Sequence, residues 1–356
     1  MMVSTMNTAH NLYIHVPFCM SKCNYCAFYS VACAKPNWSE YADNICQELC
    51  FWSEKLGKIG IPTIFFGGGT PSLMPVAIFE RIMNCVNQCF CVNKDCEITL
   101  ESNPGTITEE KLSGFISNGV NRLSVGVQSL NDDELKFLGR KHDVKTAVNL
   151  LEIAMRMNLR VSADFIYGLP NQTAKDVMNL CNDINKLGLS HVSMYELTIE
   201  ENTPFGKMNL NMPDNEEMAK MYSVIPECLS LSRYEVSNYA KPGQECRHNL
   251  NVWNGEPYLG IGRGAAGRVY LDDIWYEQRG NGECFMPISN EIRNTEKILT
   301  GMRTVRGVKL IVDIKNKLDF DWINSHKDLV EKTSEYLHTT KAGMLVLDDI
   351  IVNIIK

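Results

Sequence analysis

Three cysteines fall within eight residues, Cys19, Cys23 and Cys26 in HVPFCMSKCNYCAF, directly after a β-branched apolar segment. A C-x3-C-x2-C loop can wrap three thiolates around one face of an iron–sulfur cubane, and such clusters are commonly held by four ligands, so a fourth partner is missing locally. Two readings compete with a cluster. Cys-x2-Cys is also a zinc spacing, and three thiols can fall together by chance in a chain of fourteen cysteines. The N-terminus, MMVSTMNTAH, has neither a basic region nor an apolar stretch of a secretory signal, so reduced thiols and a cytoplasmic location are expected.

The elements that must position this loop are legible as an alternation. Six apolar segments, 11–16, 61–67, 97–102, 121–127, 160–166 and 191–197, read as strands. Amphipathic stretches at 38–52, 75–92, 108–117, 144–157, 174–187 and 215–229 read as the helices around them. Alternating β and α with right-handed crossovers predicts an α/β fold, an open partial (β/α)6 TIM-like barrel, whose chemistry sits at the carboxyl ends of the strands. The polar residues at those ends are Gly67–Ser72 after the second strand, Glu101 after the third, Gln128 after the fourth and Asp164 on the fifth. A smaller α+β extension follows, with helices expected over 291–302 and 328–337 and a hairpin over 344–355.

Composition excludes several classes. Hydrophobic residues at 45% and charged residues at 22% fit a globular chain with a sizeable core, and a net charge of −7 gives no chain-wide attraction to nucleic acid. No apolar run approaches the roughly 20 residues needed to span a bilayer.

The segments YIHVPFCMSKCNYCAF, FFGGGTPS, ESNPGT, NRLSVGVQSLNDDELKFLGRKHD, DFIYGLPNQT, YELTIEENTPF, YEVSNYAKPGQECRHN and YLGIGRGAAGR occur in this order between Tyr13 and Arg268. Together they resemble the oxygen-independent coproporphyrinogen oxidase family of radical S-adenosylmethionine (SAM) proteins, more specifically its HemW-like branch. The resemblance implies a [4Fe-4S] cluster on Cys19, Cys23 and Cys26, with the unique iron open to SAM and with reductive cleavage to a 5′-deoxyadenosyl radical as the superfamily's chemistry. It implies SAM contacts from Tyr13, Gly68, Gly69, Thr70 and Glu101, and from Tyr25, Gln128, Arg140 and Asp164, in part to a second SAM. It also implies a radical SAM core over 1–235 and a C-terminal region over 236–356.

The two branches of that family do different work. The oxidase branch carries a further cysteine two residues after the third, where this chain has Phe28, which counts against decarboxylation of coproporphyrinogen III. HemW-like proteins are regarded as haem chaperones, which implies haem as cargo, client haem proteins as partners and His248 of HNLNVW as a candidate haem ligand. Whether SAM is cleaved and whether the chain forms a homodimer stay open. The chain departs from the HemW-like pattern at Val252, where a tyrosine is usual, and at Arg263 and Ala266, where proline and histidine are usual. Outside the triplet, Cys85, Cys89, Cys91 and Cys96 come nearest to a second cluster site. Cys85 and Cys89, spaced i, i+4 on one helix face, read as small buried apolar side chains.

Replacing one ligand tests the cluster assignment. Cys23→Ala is expected to abolish the broad visible absorbance of the reconstituted protein; iron and sulfide contents equal to wild type would sink the assignment.

Overall fold

The strand NLYIHV, β1 (Asn11–Val16), is buried on both faces, as a parallel strand flanked by helices must be. The computed structural model describes residues 8–280 and 284–356. They divide into two compact units that interleave along the chain. The first runs up to Ile166 and takes in Glu196–Leu210 and Pro257–Pro287; the second comprises Tyr167–Tyr195, Asn211–Glu256 and Ile288–Lys356.

In the first unit β1 is followed by α1 (Trp38–Leu56), β2 (Gly60–Gly68), α2 (Val76–Cys89), β3 (Cys91–Ser102), α3 (Glu109–Ser117), β4 (Arg122–Gln128), α4 (Asp132–Phe137), α5 (Val144–Arg156) and β5 (Arg160–Tyr167). Strands β1 to β5 lie side by side in chain order, each parallel to the next. On the other side of β1 the sheet continues through β6 (Tyr258–Ile261), parallel to β1, and then β7 (Ala266–Leu271), β8 (Ile274–Arg279) and β9 (Cys284–Ile288). The fold is thus α/β with a mixed sheet, and the barrel is partial, not closed.

Helix starts follow capping chemistry. Asn37, Thr108, Asn131 and Asp143 each accept a backbone N–H of the first turn of α1, α3, α4 and α5, satisfying donors that have no partner within the helix. The helices then bury one apolar stripe each. Phe79 of α2 packs between Phe66 of β2 and Phe115 of α3, at ring-centroid distances of 4.7 and 5.1 Å.

The sixth candidate strand, His191–Glu196, belongs to the second unit, where it pairs antiparallel with Asn238–Ala240. The C-terminal part of this unit has its own apolar core, including Ile298, Met302, Ile314, Leu337, Leu347 and Ile354. Two expectations for the tail are corrected. The segment expected as a helix over 328–337 is an antiparallel pair, Val330–Lys332 with Tyr336–Thr339. Thr333 Oγ1 accepts the N–H groups of Glu335 and Tyr336, a local bond that competes with the helical ladder and closes a turn instead. The expected terminal hairpin over 344–355 is a 3₁₀ turn followed by the helix Leu347–Ile354. Leu347, Ile350, Ile351 and Ile354 are buried at helical spacing, so periodicity prevails over the β-propensity of an isoleucine- and valine-rich run. Among the described residues, no helix is long and apolar enough to cross a membrane.

The aromatic stack under β2 sets a measurable cost. Phe79→Ala is expected to destabilise the protein by about 3–5 kcal/mol through lost transfer energy and an unfilled cavity, read as a lower urea midpoint at unchanged slope.

Candidate functional site

All of the expected site residues except His248 lie in the first unit, at the carboxyl ends of β1 to β5 or in the loops that follow them. The cysteine loop leaves β1 and is pinned at both ends. Asn24 donates through its backbone N–H to Leu138 O (3.1 Å) and through Nδ2 to Phe137 O (2.8 Å), which ties the loop to the end of α4. On the β1 side both ring nitrogens of His15 are engaged, Nδ1 with Tyr13 Oη at 2.9 Å and Nε2 with Tyr29 O at 2.8 Å. His15 is therefore a positioning residue that joins β1 to the far side of the loop.

The sulfurs are linked by a chain of polar side chains. Thr70 Oγ1 donates to Cys19 Sγ (3.5 Å), Asn103 Nδ2 donates to Thr70 Oγ1 (2.8 Å), and Arg140 Nη2 donates to Asn103 Oδ1 (2.6 Å). Arg140 closes the circuit, with Nη1 3.4 Å from Cys23 Sγ and Nη2 2.6 Å from the Gly126 carbonyl. Tyr25 is held beside Arg140; burial pushes its hydroxyl pKa up, and the guanidinium partly offsets this. Burial likewise raises the Cys26 thiol, with the Phe28 backbone N–H pulling the other way.

Two glycines make these approaches possible. Gly68 has φ +114° and a Cβ there would stand 2.5 Å from the His15 ring, so the glycine run serves first the packing of the chain on itself. A Cβ on Gly126 would stand 2.8 Å from Gln128 Nε2 and 3.1 Å from Arg140 Nη2. Gln128 itself takes φ +72°, where the register between β4 and β5 shifts. Asn103 and Gly126 were not singled out from sequence; their signal was position alone, in the polar segment after Glu101 and within SVGV.

A second group is carboxylic. Glu101 accepts the Gly68 N–H at Oε2 (3.0 Å), and Asp164 accepts the hydroxyls of Ser124 (2.9 Å) and Ser162 (3.4 Å). Burial first, and then the like charge of Asp164, push the Glu101 carboxyl up to about 8. Burial also raises Tyr13, with Glu101 adding to it. Two half-buried acids close enough to interact are the environment that a cationic ligand relieves.

These features allow a test of which groups fit. Tetrahedral zinc with bonds of about 2.3 Å holds its sulfurs about 3.8 Å apart. Among the described residues, the group whose ligand atoms all lie within 4.8 Å of one another is Cys50, Cys85 and Cys89, not the triplet. The triplet's wider spacing suits a multi-iron cluster better than a single ion. The acids fit an amine- and sulfonium-bearing molecule such as SAM.

The sequence profile of the Radical SAM superfamily matches residues 13–184. The chain is 38% identical over 264 residues to the protein named heme chaperone HemW of Buchnera aphidicola subsp. Schizaphis graminum, covering 73% of this chain and 70% of that one. It is 33% identical over 348 residues to the heme chaperone HemW of Bacillus subtilis, covering 90% and 91%. The chain belongs to the HemW family. Radical SAM membership implies a [4Fe-4S] cluster and SAM for this HemW-family chain. Among solved structures, the coproporphyrinogen III oxidase HemN of Escherichia coli, described as a radical SAM enzyme, matches with a TM-score of 0.80 over 98% of this chain and 91% of its own. At 20% identity that likeness is one of fold.

The residues that depart from the oxidase branch and from the HemW-like pattern have distinct surroundings. Phe28 is 71% exposed, and the Arg263 guanidinium stands 5.6 Å over the ring of Tyr29. In the second unit, His248 is 5% exposed on the helix Arg247–Trp253, and burial pushes its imidazole pKa down to about 3.

The raised Glu101 pKa gives a signed pH dependence. Its carboxyl rises from an ordinary 4.5 to about 8, so the stability it contributes is complete below about pH 4.5 and is lost as pH rises through about 8. Glu101→Gln is expected to flatten that loss in the ligand-free protein. Urea midpoints at about pH 6 and about pH 9 check it, and an unchanged pH dependence in the variant would assign the titration to another group.

Proposed function

We propose that this chain is a haem chaperone that binds a [4Fe-4S] cluster and SAM at the strand ends of the first unit and hands haem to client haem proteins. The observation that carries the reading is the identity to a heme chaperone HemW along nine-tenths of the chain, together with Phe28 at the position where the oxidase branch has a cysteine. On this reading residues 1–235 are the radical SAM core, residues 236–356 are the region that meets haem, and the protein works in the cytoplasm.

Cys19, Cys23 and Cys26 hold the cluster, which together with SAM supplies one-electron chemistry when bound. Arg140 stabilises negative charge at Cys23 and keeps the loop in register with β4. Tyr13, Tyr25, Gly68, Gly69, Thr70, Glu101, Gln128, Arg140 and Asp164 receive SAM. Glu101 loses its proton as the cationic ligand arrives and accepts its amine, while Asp164 accepts ribose hydroxyls. His248, neutral at any pH well above 3, offers a lone pair to haem iron once the helix Arg247–Trp253 shifts to admit it. Val252, four residues after His248 on the same helix, stands where HemW-like proteins usually carry a tyrosine.

A haemin titration of anaerobically reconstituted protein, followed by Soret absorbance, tests this function. Wild type is expected to bind stoichiometrically and His248→Ala to bind at least about tenfold more weakly, with no loss of wild-type binding between about pH 8 and pH 5, because the imidazole stays neutral there. No binding by wild type, with protoporphyrinogen IX formed from coproporphyrinogen III, SAM and reductant, would replace the chaperone by the oxidase.

A further inference from the structure

Four cysteines outside the strand-end site meet between two helices. Helix α1 carries Cys46 and Cys50, and α2 carries Cys85 and Cys89; each pair is four residues apart and so shares a helix face. The helices pack on one another in the first unit. Cys50 Sγ lies 3.8 Å from Cys89 Sγ, and Cys89 Sγ lies 4.0 Å from Cys85 Sγ. The Cys85 thiol also donates to the Cys46 carbonyl at 3.6 Å. An open groove of about 460 Å³, lined by Cys46, Cys50, Arg81, Asn84 and Cys85 among others, connects the group to solvent.

These distances match what a single thiophilic ion demands. Tetrahedral zinc with Zn–S bonds of about 2.3 Å places its sulfurs about 3.8 Å apart, and the two measured separations lie within a few tenths of an ångström of that. Packing alone accounts for the buried Cys85 and Cys89. It does not account for Cys50, which is exposed and still directs its sulfur to Cys89. Its position is that of a ligand closing a site from the solvent side.

We propose that Cys50, Cys85 and Cys89, with Cys46 in the fourth position, bind one zinc ion that clamps α1 to α2. Cys46 lies one helical turn before Cys50 on the same face of α1, and its carbonyl already accepts the Cys85 thiol, so its side chain is the one placed to turn into the fourth position. Zinc binding releases one proton to solvent for each ligating cysteine and moves no electrons; the metal remains Zn(II). The clamp joins the first two helices of the barrel, on whose strands the cysteine loop and the glycine run depend.

The test uses the full chain with its iron–sulfur cluster reconstituted anaerobically, equilibrated with zinc sulfate and dialysed into metal-free buffer. Zinc and iron are counted by mass spectrometry, and X-ray absorption at the zinc edge reads the zinc shell without interference from iron. One zinc per chain is expected, with a sulfur-dominated shell at about 2.3 Å. Cys50→Ser, at an exposed position that leaves the core intact, is expected to weaken zinc binding at least about tenfold, and Cys50→Ser/Cys89→Ser to remove it, both with iron and sulfide unchanged. Wild type that keeps no zinc, a shell of nitrogen or oxygen, undiminished zinc in the double variant, or a Cys50–Cys89 disulfide in anaerobic protein would each overturn the site. Iron content reads the strand-end cluster separately, so failure of either assignment is recognised without the other.

Discussion

Arg140 donates to three groups that belong to different parts of the chain: the Cys23 sulfur, the Asn103 side chain after β3 and the Gly126 carbonyl in β4. A guanidinium cannot lose its charge in a protein, and a partly buried one must find acceptors in the directions its planar fork dictates. The cysteine loop, the end of β3 and the bend in β4 are therefore coupled through one side chain. Thr70 extends the coupling to Cys19 and the end of β2. The glycine at 126 fits the same demand, because a Cβ there would stand 2.8 Å from Gln128 Nε2, 3.0 Å from Asn103 Oδ1 and 3.1 Å from Arg140 Nη2.

Around this cation the acids are arranged with the opposite imbalance. Glu101 and Asp164 face each other across the strand ends, and burial leaves Glu101 largely protonated near neutral pH. Arg140 bonds sulfur and amide acceptors, while the Asp164 charge adds to burial in raising the Glu101 carboxyl.

The thiols divide by spacing into two kinds. Cys19, Cys23 and Cys26 lie on one short loop and stand apart from the single-ion grouping, while Cys50, Cys85 and Cys89 come from two helices and stand within it. Sequence spacing can single out the first kind because all three thiols are local. The second kind is invisible to spacing, since 35 residues separate Cys50 from Cys85 and only the packing of α1 on α2 joins them. On sequence grounds Cys85 and Cys89 are ordinary buried small side chains, and nothing local connects them to Cys50.

Local chemistry settled much of this protein in the sequence. The apolar period marked β1 to β5 and the longer helices between them, and the cysteine loop and strand-end acids marked the candidate site; the short helix α4 was not marked. The tail resisted because its cues conflict over short stretches: Thr333 turned an apparent helix into a strand pair, and a buried face at helical spacing turned an apparent hairpin into the helix Leu347–Ile354. What only the tertiary structure decided is which distant groups touch: Asn103 between Thr70 and Arg140, His15 between Tyr13 and Tyr29, Cys50 against Cys89. Those contacts arise when helices and strands already specified locally pack at fixed distances, and no residue spacing along the chain encodes a distance across it.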